Sequence, residues 1–316
     1  MIKVADVAYG RLGAPDLDRM EEFLLDFGMV RADRTKTALY MRGTDSEHHL
    51  HVTEIGDPTH FGLAYFARSE DDLKTLSKAD GASEVEEIDE PGGGKRVRLT
   101  DPDGRPIEVI HGMETLDPIE VRDVVINTGK ERFNRTGDLQ RLKMRPSHVK
   151  RSAHAVFRTI NLKATLEWYQ GYLGLMETDT IYVGDKDNHL ATFNHIDAGD
   201  EYVDHHVMLA LQSDSAAFNH LSFEVADFDD VQIGHEYLEK TGKYKLAWGI
   251  GRHVMGSQIF DYWRDPWGRI HEHWTDSDMV NANHVPELYA DYEGLVNQWG
   301  PDFPETFLDD PELHAL

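Results

Sequence analysis

The sequence predicts an α+β protein built from a repeated unit of a strand, a helix and several further strands. Segments that recur at matching places in the two halves of the chain predict this repeat. Residues 101–109 read DPDGRPIEV and return as DPWGRIHEH at 265–273. Each copy predicts a tight Asp-Pro-x-Gly turn that leads into a strand, with a glutamate at the same step.

Two further pairs of segments predict the helices of the repeat. Residues 16–29 resemble 161–175, and both predict amphipathic helices that begin at an Asx residue and end at a glycine. Residues 69–76 resemble 227–233, and each of these segments follows a short apolar strand. Each half of the chain therefore contains two units of strand, helix and further strands.

The repeats predict two domains and a tail. We place the domains at 1–135 and 145–280, joined by a polar connection without periodicity at 129–138. Residues 281–316 are rich in Pro, Asp and Glu and predict a tail that packs on the C-terminal domain. A chain of 316 residues is long enough for each domain to bury its own core.

Composition excludes several classes of function. The chain has 32 basic and 58 acidic residues, a net charge of −26, which would repel nucleic acid and anionic membranes. It has no cysteine, which excludes disulfides, thiolate catalysis and sulfur-ligated metals. Neither a membrane span nor a signal peptide is apparent, so a cytoplasmic location is expected.

Three residues of the C-terminal half are candidate metal ligands, namely His154, His220 and Glu272. Strand alternation directs His220 away from the apolar face of its segment and into a polar cavity. The same alternation separates Glu272 from His271 and His273, which point to the opposite face. Two imidazoles and one carboxylate on one face are typical of a facial triad that binds Fe(II) and also suit Mn(II).

The N-terminal half provides a comparison for these candidates. Glu108 occupies the repeat position of Glu272, but Ala8 or its neighbour aligns with His154, and Gly62 aligns with His220. The repeat therefore predicts that the C-terminal half alone binds a metal.

The spacing of further residues resembles that of a known family. His206 lies fourteen residues before His220, while His253 and Tyr262 lie nineteen and ten residues before Glu272. This pattern, together with the three ligands and the repeat over residues 1–280, resembles the two-domain extradiol catechol dioxygenases of the vicinal oxygen chelate superfamily. One departure is Asn219, where relatives often have a second histidine before the second ligand.

The resemblance implies a fold and an activity. It implies four βαβββ modules paired into two open barrels, an N-terminal domain without catalytic function and a C-terminal catalytic domain. The implied reaction is extradiol cleavage of a catechol by O₂ at Fe(II) or Mn(II), in a homo-oligomer. His206 would be the acid/base residue, and His253 and Tyr262 would hydrogen-bond the substrate oxygens.

The substrate and the rival functions stay open at this point. Catechol, an alkylcatechol, a biphenyl-type diol or a trihydroxylated ring would each suit the pattern. An apolar pocket is expected from residues that cluster in sequence near the site, with Trp248 as a candidate substrate contact: Trp248, Met255, Trp263, Trp267 and Trp274. The alternatives on the same fold are a glyoxalase-like isomerase or thiol transferase, and a protein that binds an aromatic compound without turnover.

Overall fold

The computed structural model of the protein describes residues 1–122 and 125–308 and contains the predicted repeat in four copies. Each copy has the order strand, helix and three strands, so the predicted α+β fold of four βαβββ modules is confirmed. The first two modules consist of β1 (Val4–Ala14), α1 (Leu17–Phe27), β2 (Val30–Arg34), β3 (Ala38–Arg42), β4 (His51–Ile55), β5 (Phe61–Ala67), α2 (Glu70–Leu76), β6 (Glu86–Glu87), β7 (Lys95–Thr100) and β8 (Pro106–His111).

The second two modules add two short strands to the same order. They consist of β9 (Val149–Thr159), α3 (Leu162–Leu173), β10 (Leu175–Tyr182), β11 (His189–Ile196), β12 (Val203–Asp204), β13 (Met208–Gln212), β14 (Ala217–Val225), α4 (Phe228–Thr241), β15 (Lys245–His253), β16 (Ile259–Arg264), β17 (Ile270–Thr275) and β18 (Met279–Val280). The chain continues into β19 (Glu287–Ala290), α5 (Asp291–Gly294) and β20 (Asn297–Trp299).

The four modules pair into two sheets. The first sheet has the order β2-β3-β4-β1-β5-β8-β7-β6, and the second has the order β19-β10-β11-β13-β9-β14-β17-β16-β15-β20. In each sheet the first strands of two modules are antiparallel neighbours at the centre, β1 beside β5 and β9 beside β14. This pairing joins two modules into one curved surface, and it brings β9, β14 and β17 side by side.

The helix and turn signals of the sequence are confirmed at the predicted residues. The Asp16 side chain accepts hydrogen bonds from the first turn of α1, and the Asn161 side chain accepts one from Ala164 N at the start of α3. Helices α1 and α3 end at Gly28 and Gly174, which adopt positive φ angles of 113° and 70°.

The two Asp-Pro-x-Gly turns also join the two halves of the molecule. In each turn the aspartate binds the arginine four residues later, Asp101 with Arg105 and Asp265 with Arg269. Arg105 then donates to the backbone oxygen of Arg158 on β9, and Arg269 donates to the backbone oxygen of Gly13 on β1. Each half therefore holds the first strand of the other half through the same contact.

The connection between the repeats contacts both halves, and the tail packs against the C-terminal half. Residues 112–148, apart from 123 and 124, contain no helix or strand, and Arg122 and Arg145 of this connection bind aspartates at the start of α4. In the predicted tail, β19 and β20 extend both edges of the second sheet, while residues 309–316 lie outside the described part. Among the described residues, no helix is long and apolar enough to cross a membrane.

Candidate metal centre and active site

Three adjacent strands place His154, His220 and Glu272 around one point. His154 lies on β9, His220 on β14 and Glu272 on β17, and their ligand atoms all lie within 4.8 Å of one another. Glu272 Oε2 lies 2.9 Å from His154 Nε2 and 3.4 Å from His220 Nε2. Ligand atoms that share an octahedral ion at about 2.1 Å are roughly 3 Å apart when adjacent. The donor set thus fits one divalent ion.

Unpartnered polar atoms support the same conclusion. Glu272 is fully buried, and neither of its carboxylate oxygens accepts a hydrogen bond of good geometry from the described residues. His220 Nε2 is also buried without such a partner. Burying a carboxylate is costly unless a cation or several donors compensate it, so the site requires a positive charge at this point.

The electrostatics of Glu272 and His220 favour the protonation states that ligation needs. Burial alone would raise the pKa of Glu272, but the neighbouring His154 and His220 imidazoles hold this pKa well below its usual range. Burial lowers the pKa of His220 against the opposing effect of Glu272, so His220 is neutral at physiological pH. A metal ion binds an ionised carboxylate and neutral imidazoles.

Asn219 fixes the ring of the second histidine. His220 Nδ1 lies 2.6 Å from Asn219 Oδ1, an acceptor, so Nδ1 carries the proton and donates it to this bond. The other ring nitrogen, Nε2, is thereby left with its lone pair directed at Glu272. The residue that departs from the family pattern therefore orients His220, as polar neighbours of metal-binding histidines commonly do.

His253 and Tyr262 form a pair at one side of the three ligands. His253 Nε2 and the Tyr262 hydroxyl are 2.8 Å apart, and His253 Nε2 lies 3.9 Å from Glu272 Oε1. Burial lowers the pKa of His253 to about 4 and raises the pKa of Tyr262 well above its usual value, where Glu272 adds to the effect. At neutral pH the pair is therefore an uncharged imidazole beside a protonated phenol, both facing the cavity.

His206 lies on the opposite side and is linked to a buried carboxylate. Its ring centroid is 4.2 Å from that of His154, and its Nδ1 lies 3.1 Å from His205 Nδ1. His205 Nε2 in turn lies 2.9 Å from Asp179 Oδ2. If His205 donates to Asp179, its Nδ1 accepts the proton of His206 Nδ1, which leaves His206 Nε2 with a free lone pair at the cavity. Burial, reinforced by His154, lowers the pKa of His206 well below its usual value.

The N-terminal half has the same strand arrangement, but its own side chains bind the carboxylate that corresponds to Glu272. Glu108 pairs with Ala64 across the strands as Glu272 pairs with Ser222, and Tyr9 is the residue opposite Ala64. Tyr9 donates a hydrogen bond of 2.6 Å to Glu108, while Arg96 and Arg11 lie 3.1 and 3.4 Å from the same carboxylate. Side-chain cations of the chain thus compensate the carboxylate that is the counterpart of Glu272.

The paired histidines are also repeated in the N-terminal half, which sequence reasoning missed. His48 Nδ1 and His49 Nδ1 are 3.0 Å apart, the same contact that His205 and His206 make. The signal was present as a His-His dipeptide in each half, at 48–49 and 205–206. No hydrogen bond joins His48 to a carboxylate among the described residues, so Asp179 distinguishes the C-terminal copy.

A cavity of about 240 Å³ opens beside the triad and is walled mainly by apolar side chains. Trp248 and Met255 line it, as expected from the sequence. The other three tryptophans do not line it and are packing residues, the more common role of tryptophan: Trp263 donates to Asp261, Arg19 and Arg269 lie over Trp267, and Arg151 lies over Trp274. Trp263 follows Tyr262 on β16 and faces the other way, whereas Trp274 shares the Glu272 face of β17 and packs against Arg151.

Other residues of the cavity wall come from segments that the sequence analysis did not connect with the site. Val156 and Arg158 follow His154 at alternate positions on β9, so strand alternation was the signal that could have identified them. Phe303 and Phe307 belong to the tail, and the ring centroid of Phe307 lies 5.0 Å from that of Tyr262. No periodicity in the sequence connects these two residues with the cavity.

His271 and His273 lie on the far side of β17, against the N-terminal half. His271 Nε2 is 3.3 Å from His51 Nε2, and the His273 ring stacks on Phe27 with a centroid separation of 3.7 Å. His273 Nε2 also lies 2.6 Å from the backbone oxygen of Phe27, to which it donates. Both histidines therefore belong to the contact between the halves.

Comparison with known proteins identifies relatives over nearly the whole chain. Residues 151–270 match the family described as Glyoxalase/Bleomycin resistance protein/Dioxygenase superfamily. Metapyrocatechase 2 of Cupriavidus necator is 29% identical over 98% of this chain and 93% of its own length. Biphenyl-2,3-diol 1,2-dioxygenase of Sphingomonas paucimobilis is 24% identical over 86% of this chain and 88% of its own.

Solved structures share the fold at lower sequence identity. The Mn(II)-bound glyoxalase from Novosphingobium aromaticivorans has a TM-score of 0.78 at 22% identity, covering 98% of this chain and 96% of its own. An extradiol ring-cleaving dioxygenase from B. fuscum has a TM-score of 0.75 at 17% identity, covering 97% and 82%. Residues 151–270 therefore contain a glyoxalase/vicinal oxygen chelate domain, and the four βαβββ modules give the whole chain the fold of these solved structures. Of the two curated relatives reported above, one is named a metapyrocatechase and the other a biphenyl-2,3-diol 1,2-dioxygenase.

Proposed function

We propose that this protein is an extradiol dioxygenase that cleaves a catechol-type ring with O₂ at one Fe(II) or Mn(II) ion. The observation that carries the proposal is the buried group of His154, His220 and Glu272, which lies beside a cavity walled by His206, His253 and Tyr262. The names of the curated relatives and the spacing of these six residues support the same reaction.

The three ligands would hold the ion on one face and leave adjacent positions open toward the cavity. The chemistry that a bound ion supplies is the pairing of the diol with O₂ and the passage of electrons from the ring to oxygen. Both oxygen atoms enter the product as the ring carbon–carbon bond beside the diol breaks. Catechol and O₂ thus give 2-hydroxymuconate semialdehyde without any further reductant.

The surrounding residues would manage the protons of this reaction. His206 offers a free imidazole lone pair to the cavity, so it accepts a proton from a diol hydroxyl and returns it later. Tyr262, held in the protonated state by burial, donates a hydrogen bond to a substrate oxygen. His253 positions the Tyr262 hydroxyl through their 2.8 Å contact and borders the same oxygen.

The experiment that tests this function is aerobic addition of catechol to metal-loaded protein. We expect a yellow ring-cleaved product and consumption of one O₂ per catechol, with no reaction in chelator-treated protein. Loading separate samples with Fe(II) and Mn(II) decides which ion supports turnover. Catechol that remains unchanged in both samples would overturn the proposal.

The glyoxalase-type isomerisation is the competing reaction for a metal centre on this fold. A structural neighbour is a Mn(II)-bound glyoxalase, but an identity of 22% establishes the fold alone. The same metal-loaded samples are therefore also given the hemithioacetal of methylglyoxal and glutathione. We expect no thioester to form.

A further inference from the structure

Arg158 is a cation in the cavity wall, and the described residues place no countercharge beside it. Arg158 borders the cavity on β9, and its Nε is buried without a hydrogen-bond partner. Within residues 1–122 and 125–308 its side chain forms neither an ion pair nor a hydrogen bond. This is unexpected in a chain with 58 acidic and 32 basic residues. Arg151, also on β9, lies within 4 Å of three carboxylates.

The fold does not require a side chain at this position. The backbone oxygen of Arg158 accepts the hydrogen bond from Arg105, and in the other half the backbone oxygen of Gly13 accepts the same bond from Arg269. Glycine therefore performs the structural role in the N-terminal half. A partly buried guanidinium is costly to desolvate, so a chain that retains one needs an anion to bind it.

The distance from the proposed metal ligands to Arg158, and the apolar wall between them, indicate where a substrate would carry such an anion. His154, Val156 and Arg158 alternate along one face of β9, so the Cα atoms of His154 and Arg158 are about 13 Å apart. Between them the cavity is apolar, because Leu209 lies opposite Val156 and Leu211 lies opposite Arg158 on the neighbouring strand. The cavity thus has a diol-binding end, an apolar middle and a cationic end.

We propose that Arg158 binds a carboxylate at the far end of an apolar extension of the catechol, so that acidic, extended catechols are the preferred substrates. This inference rests on the proposed dioxygenase function for the diol end of the cavity. The guanidinium would form two parallel hydrogen bonds with the carboxylate, which a neutral substituent cannot replace.

The test compares 2,3-dihydroxybiphenyl with its 4′-carboxylate, and the uncharged 4′-carboxamide serves as a probe of similar size to the acid. We expect the wild-type protein to show a kcat/KM for the acid about 10-fold or more above that for the neutral diol. Arg158→Met should reduce kcat/KM for the acid by about 10–100-fold and affect the neutral diol much less. Arg158→Lys, which retains the charge, should recover part of the loss.

A matched control removes the same charge elsewhere. Arg31 is exposed and pairs with Glu21 on the surface of the other half, so Arg31→Met changes the net charge without altering the cavity. We expect this variant to keep the wild-type preference. A wild-type protein that favours the neutral diol would overturn the inference, and so would an Arg158→Met variant that loses both diols equally.

Anaerobic calorimetry on the metal-loaded protein separates this inference from the proposed function. Tight binding of the acid that depends on Arg158, in a protein that cleaves no diol, would leave the anion site standing and overturn the dioxygenase assignment. Cleavage of both diols with equal affinity for the two would support the dioxygenase assignment and overturn the anion site. Arg158→Gln, which also removes the charge, gives the same reading if the methionine variant is unstable.

Discussion

At the scale of single residues, the structure separates the histidines around Glu272 from those that face the N-terminal half. His154 and His220 surround Glu272, whereas His271 and His273 contact the N-terminal half. These assignments follow from strand alternation and from contacts across the sheet, and each can be tested on its own.

We expect His154→Ala, His220→Ala and Glu272→Ala each to abolish metal retention, because each removes one of three protein ligands. Metal analysis of the purified variants measures the result. His271→Gln is the matched control, since this residue lies on the same strand as Glu272 and faces the other way. Full occupancy in an alanine variant, or metal loss in the control equal to that of Glu272→Ala, would contradict the assignment.

His206→Asn should keep the metal and bind catechol, but lose about 10²–10⁴-fold in kcat. The reason is that His206 lines the cavity outside the set of atoms that surround Glu272. Metal content, catechol affinity and oxygen uptake are measured on one preparation. Oxygen consumption at the wild-type rate would show that His206 has a structural role alone.

His205→Asn should lower kcat by about 10–100-fold without loss of metal, because it breaks the link between His206 and Asp179. The repeat offers a matched control. His48 makes the same contact with its neighbour in the N-terminal half, far from the metal centre, so His48→Asn should leave kcat unchanged. Equal effects of the two substitutions would indicate that the histidine pair serves the fold in both halves.

At the scale of elements, the start of α4 anchors the connection between the halves. Asp230 in its first turn is fully buried, and its carboxylate lies 2.6 Å from both Arg145 Nη1 and His148 N. Burial would raise the pKa of Asp230, but the hydrogen bonds from His148 and Arg145 outweigh it and lower this pKa to about 2. The ionised carboxylate therefore holds residues 145–148 against the helix.

We expect Asp230→Asn to reduce the free energy of unfolding at pH 7 by about 2 kcal/mol, measured by urea denaturation. Because the folded pKa lies below the ordinary value of 3.8, the contribution is complete above that value and is lost as the pH falls toward 2. The difference between variant and wild type should therefore shrink at acidic pH. Asp72→Asn, at the corresponding turn of α2 but partly exposed, should cost less.

The sequence predicted the modules and the diol end of the site better than the rest of the cavity, for a physical reason. Turns, caps and strand alternation are local, so 101–109, 265–273 and the positions of His154, His220 and Glu272 could be inferred from neighbours in the chain. His205 contacts Asp179, which is 26 positions away in the chain, and Phe307 contacts Tyr262, which is 45 positions away. No local pattern encodes such contacts.

At the scale of the whole molecule, the two halves compensate the same buried carboxylate in different ways. Arg11, Arg96 and Tyr9 surround Glu108, whereas Glu272 has two imidazoles and no cationic side chain within hydrogen-bonding reach among the described residues. Metal binding should therefore stabilise the C-terminal half in particular, because the ion supplies the missing charge.

We expect removal of the metal by a chelator to lower the Tm, by an amount equivalent to about 3 kcal/mol when free metal was present at 100 times its Kd. Hydrogen exchange should locate the loss of protection in β9, β14 and β17 and leave β1, β5 and β8 unchanged. An identical Tm with and without metal would mean that the buried Glu272 is compensated by the protein alone.

Glu108 and Glu272 also differ in the source of the positive charge that neutralises each of them. Glu108 is neutralised by Arg11 and Arg96, which belong to the same chain, so its ion pairs can form as soon as the chain is synthesised. Glu272 would be neutralised by a metal ion, which the cell has to take up from the medium. In a culture starved of iron and manganese, newly made chains should therefore have a stable N-terminal half and a C-terminal half that lacks its stabilising ion. We expect such chains to be degraded sooner than those made in metal-rich medium. The metal supply would then set both the amount of this protein and the metal occupancy of its site.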